Sequence, residues 1–161
     1  MLASMPERAA VVPVTLCFVR SGDHVLLLRI APHKDRFPGC WNGVGGHVRT
    51  GEDVRAAVAR EIREETGLEP RDLRLRAVIH ETGLVGRSHL LFVFTAGVEK
   101  RDALRESHEG KLAWFELSAL PWTELVPDLR TLLPRVLEAP EPLFGVQHFD
   151  GGDRSLALEI G

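Results

Sequence analysis

Three glutamates near the end of one predicted helix are the residues best suited to do chemistry. They are Glu61, Glu64 and Glu65, and they come just before Gly67, a residue typical of the left-handed turn that ends a helix. Clustered carboxylates form an all-oxygen ligand set, which is the kind that hard cations such as Mg²⁺ or Mn²⁺ prefer. Their spacing therefore indicates a divalent-metal site.

The helix that carries these acids is expected to span residues 52–66, with an acid in its first turn, where the helix dipole favours negative charge. At about 100° per residue, Glu61 and Glu65 point within about 20° of Val54. Val54 and Val58 mark the apolar face of this helix. Two carboxylates are thus predicted to face the core, where an unpaired charge is costly.

A simpler alternative is a solvated acidic helix end in which Arg60 and Glu64 pair at i,i+4. Such a pair stabilises a helix by about 0.2–0.5 kcal/mol. It explains Glu64, but it leaves Glu61 and Glu65 on the inward face without a compensating cation. The metal site is therefore the better interpretation.

The longer pattern over residues 46–68 resembles the Nudix box of the Nudix hydrolase family at every position. It reads Gly-x5-Glu-x7-Arg-Glu-aliphatic-x-Glu-Glu-x-Gly-aliphatic. At ordinary residue frequencies, a chance match is on the order of 10⁻⁹ per starting position. The resemblance implies an α/β/α sandwich with a mixed β-sheet between helices. It also implies hydrolysis of a nucleoside diphosphate linkage with Mg²⁺ as cofactor and Mn²⁺ as a substitute.

The resemblance also assigns roles in metal binding and proton transfer. Glu61, Glu65 and the carbonyl of Gly45 are expected to hold the metal. The general base is expected to be Glu64 or Glu109, and the sequence does not decide between them.

Further box residues are expected to support this site. Arg60 is expected to fix a catalytic carboxylate, while Glu52 and Gly67 serve the structure of the motif. Gly46 is expected to let the backbone approach the substrate closely. His47 is a weaker candidate, since a histidine after two glycines is as often a packing residue.

Outside the box, the chain resembles the MutT-like branch of the family, which hydrolyses purine nucleoside triphosphates, including oxidised ones. Residues 41–46 resemble its Trp-Asn-Gly-Phe-Gly-Gly segment, in which the residue matching Asn42 contacts the base. Residues 106–109 resemble its Glu-Ser-Asp-Glu loop, whose second glutamate matches Glu109. The hairpin predicted over residues 143–160 also resembles that of the branch.

One segment departs from this branch. Asp128 matches a base-reading acid, but Val126 replaces an indole and Leu129 replaces a second acid. Base recognition is therefore expected to be weaker than in the branch, with a fairly broad (d)NTP specificity. Trp122 is a candidate to stack in place of the missing indole.

The expected reaction is hydrolysis of a (d)NTP, including oxidised purines such as 8-oxo-dGTP, to the nucleoside monophosphate and pyrophosphate. The open alternatives are another Nudix substrate, namely a dinucleoside polyphosphate, ADP-ribose or a nucleotide sugar, or a catalytically silent nucleotide-sensing module. No acid of the box is missing, which disfavours the silent module.

Length and composition set the wider limits. A chain of 161 residues fits one domain over residues 1–161, and its formal net charge of −3 argues against general nucleic-acid binding. Cys17 and Cys40 are expected to be buried free thiols. We expect a cytoplasmic enzyme with a small nucleotide as its partner, because no run approaches the roughly 18 apolar residues of a membrane span.

The remaining pattern predicts mixed strands and a second helix. A loop over residues 31–40 carries Lys34 and Arg36, which are candidates to contact a polyphosphate. A helix is expected from Pro127 to about residue 139, kinked or divided by Pro134. Ser118 is expected to cap a short turn. The predicted strands are residues 11–20, 24–30, 73–81, 88–98 (buried on both faces), 112–117, 143–149 and 155–160.

Overall fold

The computed structural model describes residues 8–102, 104–105, 107–152 and 154–161. Its strands are β1 Val11–Ser21, β2 His24–Ile30, β3 Trp41–Asn42, β4 Arg71–Thr82, β5 Ser88–Gly97, β6 Gly110–Glu116, β7 Leu143–Phe149 and β8 Ser155–Ile160. Its helices are α1 Val54–Thr66 and α2 Leu129–Glu138, with short 3-10 turns at Leu117–Ala119 and Trp122–Glu124.

All of these strands belong to one mixed sheet. Its order is β3-β2-β1-β5-β4-β7-β8, and β6 pairs with β2. The pairs β1/β5 and β4/β7 are parallel, whereas β1/β2 and β7/β8 are antiparallel hairpins. The predicted hairpins and the predicted mixed sheet are confirmed.

The sheet separates two hydrophobic cores. On one face α1 contributes Val58 and Ile62, which pack with Cys17, Val19 and Phe94. On the other face α2 packs against β1, β4 and β5 through Leu129, Leu132, Leu133, Val136, Phe18, Ile79 and Val93. A sheet between helices is the predicted α/β/α sandwich.

Helix α1 begins two residues later than predicted. Asp53 is its N-cap, and the Asp53 side chain accepts a hydrogen bond of 2.9 Å from the Ala56 N–H. Glu52 therefore lies outside the helix, and the first turn contains no acid. A short aspartate side chain reaches this N–H more easily than a glutamate does, which explains the difference. The predicted end is confirmed, because Gly67 has φ 76° and donates its N–H to the Arg63 carbonyl.

Helix α2 differs from the prediction in two respects. It begins after Pro127, and it continues through Pro134 without being divided. Pro134 removes one backbone donor, but the buried residues Leu133 and Val136 on either side of it hold the helix against the sheet. Ser118 lies inside the first 3-10 turn, which has no side-chain cap, so the predicted capping role is wrong.

The remaining expectations concern β5 and the cysteines. No residue of β5 is exposed, in agreement with a strand covered on both faces. Both cysteines are free, but only Cys17 is fully buried, and burial raises the pKa of its thiol. Among the helices described, none has the length and apolar character needed to cross a membrane.

Candidate active site

The glutamates of α1 divide into an inward pair and an outward residue. Glu65 is buried at 8% exposure, and the Glu61 side chain beside it is 15% exposed. The Glu64 side chain is 49% exposed. The predicted placement of two carboxylates on the inward face is therefore correct.

The buried position of Glu65 beside Glu61 disfavours a negative charge on Glu65. Burial, followed by the negative charges of Glu61 and Glu109, raises the pKa of Glu65 to about 9. A hydrogen bond between the Glu61 and Glu65 carboxyl groups has the same effect. A divalent cation at this place would offset the negative charge of these carboxylates, so the two residues fit a metal that prefers oxygen ligands.

The glycine loop between β3 and α1 brings backbone against these carboxylates. The Gly45 N–H donates a hydrogen bond to Glu65. A Cβ atom at Gly46 would lie 2.5 Å from Glu61 Oε1, and one at Gly45 would overlap the Thr15 carbonyl. Glycine is therefore required at position 45, where the backbone of β1 is in the way, whereas a side chain at position 46 would have to displace the Glu61 carboxylate.

Arg60 connects the loop to the helix. Its guanidinium binds both oxygens of Glu52 at 2.8 and 3.0 Å, Glu61 at 2.8 Å and Glu64 at 3.1 Å. It also donates to the His47 carbonyl at 3.1 Å. Hydrogen bonding to Arg60 lowers the pKa of Glu52 to about 2. Arg60 is thus placed to orient two glutamates, as the sequence predicts.

A loop before β6 brings a further carboxylate to the site. Glu109 lines a cavity of about 520 Å³ together with Glu61, Glu64 and Glu65. Lys34 binds Glu109 at 2.6 Å, so the lysine considered as a phosphate ligand is paired with an acid. Glu106, from the same predicted loop, lies outside the described residues, as does Asp153 of the predicted C-terminal turn.

These carboxylates do not form a complete protein cage for a metal. In the part of the chain that the structure describes, no group of three Asp, Glu, His or Cys side chains is arranged to hold an ion. A metal here would need further ligands from water or substrate. That requirement suits Mg²⁺, which usually binds one or two carboxylates together with waters and phosphates.

A second cavity, of about 230 Å³, lies on the other side of the glycine loop. Asn42, Asp128, Gly45 and Gly46 all line it, so the structure brings together the residues predicted to bind substrate. Asn42 Oδ1 accepts a hydrogen bond of 2.8 Å from the Gly43 N–H. The amide NH2 group of Asn42 is therefore its remaining donor.

The same cavity has an aromatic wall that the sequence did not predict, and Arg36, a predicted polyphosphate contact, lies against it. The Arg36 guanidinium lies 5.0 Å from the ring centroids of both Phe37 and Phe149. The two rings are 6.3 Å apart. Their positions in the chain are more than a hundred residues apart, so local sequence patterns could not connect them. Trp122 is 41% exposed in its 3-10 turn and is absent from the lining of this cavity.

Glu81 and His89 were also missed. Both line the cavity, and Glu81 Oε2 lies 3.2 Å from His89 Nδ1. Glu81 was assigned only to a strand. A signal was present, because Ala77, Ile79 and Glu81 alternate along β4 and share its inward face.

Comparison with known proteins assigns this arrangement to a family. Residues 10–136 match the family model of the NUDIX domain. The chain belongs to the Nudix family. Nudix hydrolases generally use divalent metal ions.

Individual relatives differ in what their names describe. The chain is 33% identical to the uncharacterized Nudix hydrolase YvcI of Bacillus subtilis, over 71% of this chain and 72% of YvcI. It is 32% identical to the oxidized purine nucleoside triphosphate hydrolase of Mus musculus, over 62% of this chain and 64% of that enzyme. The crystal structure of a MutT protein from Bacillus halodurans matches with a TM-score of 0.80 and 25% identity, over 93% of this chain and 97% of that one.

Other curated relatives act on different substrates. They include the NAD-capped RNA hydrolase NudC of Edwardsiella ictaluri, 30% identical over 86% of this chain and 51% of NudC. An ADP-ribose pyrophosphatase of Methanocaldococcus jannaschii is 34% identical over 59% of this chain and 57% of that enzyme. The chain is thus a MutT-like Nudix pyrophosphohydrolase within a family of varied substrates.

Proposed function

We propose that the protein is a Mg²⁺-dependent hydrolase, with Mn²⁺ as a substitute, that converts a (d)NTP to the nucleoside monophosphate and pyrophosphate. The observation that carries this proposal is the glycine loop, which lines one cavity and lies against a carboxylate that lines the other. Gly45 and Gly46 line the cavity that contains Asn42 and Asp128, and their other side contacts Glu61 and Glu65. A nucleotide with its base in the first cavity can extend its phosphates across this loop to the carboxylates.

Residues of α1 and the loop would hold the cation. Glu61, Glu65 and the Gly45 carbonyl are the proposed ligands, and the bound metal would neutralise phosphate charge and lower the pKa of an attacking water. Arg60 holds Glu61 and Glu64 in place.

Two residues remain candidates for the general base. Glu64 is held by Arg60 at 3.1 Å and by Arg49 at 3.3 Å, and Glu109 is held by Lys34 at 2.6 Å. Each carboxylate therefore already has a cationic partner. Both residues line the cavity that contains Glu61 and Glu65, so substitution of each in turn is needed to decide which one is the general base.

The direct test is hydrolysis of individual nucleotides. Purified protein with Mg²⁺ is given each (d)NTP in turn, and products are separated by ion-exchange chromatography. Release of monophosphate and pyrophosphate in equal amounts supports the proposal. Release of inorganic phosphate with a nucleoside diphosphate would contradict it, because the bond cleaved would then be the wrong one.

A second candidate substrate class follows from the names of the relatives. An ADP-ribose pyrophosphatase and an NAD-capped RNA hydrolase are among them. Both names describe a diphosphate linkage with a second group beyond it. Including ADP-ribose, a dinucleoside polyphosphate and a nucleotide sugar in the same assay decides between the two candidates, since the better substrate has the higher kcat/KM.

A further inference from the structure

Two acids from distant parts of the chain face the cavity that contains Asn42. Glu81 lies near the end of β4 and is 8% exposed. Asp128 immediately precedes α2 and lines the same cavity. Both carboxyl groups line this one cavity, and the charge of Glu81 contributes, after burial, to raising the pKa of Asp128 to about 6.

Neither acid is fully satisfied by the protein. Among the described residues, the buried Asp128 Oδ1 atom accepts no hydrogen bond. Glu81 has one side-chain partner at hydrogen-bond distance, His89, through one carboxylate oxygen at 3.2 Å. A buried acceptor without a donor is costly, and most such atoms in folded proteins are paired with protein or water. These oxygens are therefore available to a ligand that brings N–H or O–H donors.

The third polar group that faces the cavity is the Asn42 amide, which offers a donor. The oxygen of the Asn42 amide is bonded to the Gly43 N–H, so its NH2 group remains to donate. The cavity thus combines the Asn42 donor with acceptors from two carboxyl groups, and the Arg36 guanidinium lies in the same wall. Its volume of about 230 Å³ exceeds the roughly 150 Å³ of an engineered cavity that holds benzene, so a flat ring system fits.

This pattern discriminates among bases. The pairing edge of guanine carries one acceptor, the O6 atom, and two adjacent donors, N1–H and the 2-amino group. Adenine carries an acceptor at N1, which would meet a carboxylate oxygen with no hydrogen between them. Two adjacent acceptors beside one donor therefore complement guanine and oppose adenine.

We propose that Glu81 is a specificity-determining residue that, with Asp128, accepts the two adjacent N–H donors of a guanine-type base while Asn42 donates to its carbonyl oxygen. His89 holds the Glu81 carboxylate in the cavity wall through their hydrogen bond. This inference rests on the proposed function, since it concerns the base of the same nucleotide. It assigns to β4 a recognition role that the family motif does not contain.

The role proposed for Glu81 also changes the expectation drawn from Leu129, which replaces the second acid of the MutT-like branch. Leu129 is 1% exposed and belongs to the core between α2 and the sheet. A carboxylate is therefore not needed at position 129, because Glu81 delivers one to the same cavity from the neighbouring strand. Base selection, rather than broad acceptance of every base, is the expected result.

Kinetics on a Glu81→Met variant test the proposal, because methionine has a similar length but no acceptor oxygen. The measurement is kcat/KM for GTP and ATP at saturating Mg²⁺. In the variant, the GTP over ATP ratio should fall at least tenfold, about 1.4 kcal/mol, through a higher KM for GTP with kcat nearly unchanged. A smaller fall would overturn the proposal. The matched control is Glu159→Met on the exposed face of β8, which should leave the ratio unchanged.

If the Glu81→Met variant does not fold, nucleotide binding to the unmodified protein still tests the proposal. Isothermal titration with GMP, IMP and AMP needs no hydrolysis, so its outcome is separate from that of the proposed reaction. GMP should bind at least tenfold more tightly than AMP and also than IMP, which lacks the 2-amino group. Equal affinities for GMP and AMP would overturn the base-reading role of Glu81 even if triphosphates are hydrolysed.

Discussion

Glu65 is the residue at which burial and function oppose each other most directly. Replacing it with glutamine keeps the shape of the side chain but removes the buried carboxyl group beside Glu61 that is proposed to bind the metal. Glu65→Gln should therefore abolish turnover while the protein without metal becomes as stable or more stable. Thermal unfolding with and without Mg²⁺ measures this, and only the unmodified protein should gain stability from the metal.

A control for this substitution lies just beyond the same helix. Glu69 is exposed and pairs with Arg63. Glu69→Gln should leave both turnover and the effect of Mg²⁺ unchanged. Normal activity of Glu65→Gln at low Mg²⁺ would remove Glu65 from the metal site.

The choice between Glu64 and Glu109 can be made by comparing their amide variants. If Glu109 is the general base, Glu109→Gln should lower kcat by about 10²–10⁴ with little change in Mg²⁺ affinity. Glu64→Gln should then have the milder effect, since Glu64 is exposed and already bound by two arginines. The opposite ranking would assign the base to Glu64.

Asp128 should leave a signature in the pH dependence of stability. Burial, with the charge of Glu81, raises its pKa from 3.8 to about 6 in the folded protein. Because the folded state then holds its proton more tightly than the unfolded state, this carboxyl makes stability fall as pH rises from about 4 to 6. Asp128→Asn should flatten that fall by about 1–3 kcal/mol, measured by urea unfolding at each pH. An unchanged slope would show that Asp128 is solvated.

Among the helices, local signals predicted α1 better than α2. The end of α1 follows from Gly67, because a left-handed residue with a free N–H closes the last turn. Its start was predicted two residues too early, because the sequence does not show which of the adjacent acids, Glu52 or Asp53, caps the helix. In the fold Asp53 caps the helix and Glu52 binds Arg60. The continuity of α2 through Pro134 depends on burial against the sheet, which propensity does not contain.

Asp53, the N-cap of α1, should stabilise the start of this helix. Asp53→Ala should destabilise the protein by about 1 kcal/mol, because the Ala56 N–H loses its acceptor. The free energy of unfolding from urea titration is the measurement. Asp35→Ala, at an exposed loop position, is the matched control and should change it by less. Equal effects would mean that the cap contributes nothing measurable.

The two cavities could be foreseen only in part, because they depend on contacts across the whole chain. The Nudix box predicted the cluster of carboxylates in one cavity, because Glu61, Glu64 and Glu65 lie on one helix. The base side combines Phe37, Glu81, Asp128 and Phe149, which come from a loop, two strands and the start of α2. No local pattern connects such positions. Asn42 and Asp128 were predicted through resemblance to the MutT-like branch, and Gly46 through the glycine pair that opens the box.

Discrimination between 8-oxo-dGTP and dGTP is set by the cavity as a whole. Glu81 and Asp128 are proposed to read N1–H and the 2-amino group, which guanine and its 8-oxo form share. Discrimination must then come from the other edge of the base, where Val126 offers less surface than an indole. The ratio of kcat/KM for 8-oxo-dGTP over dGTP should therefore stay below about a hundred, some 2.7 kcal/mol. Trp122→Ala should leave this ratio unchanged, because Trp122 is exposed outside the cavity lining. A ratio above a hundred that falls in Trp122→Ala would show that the indole moves in to stack on the oxidised base.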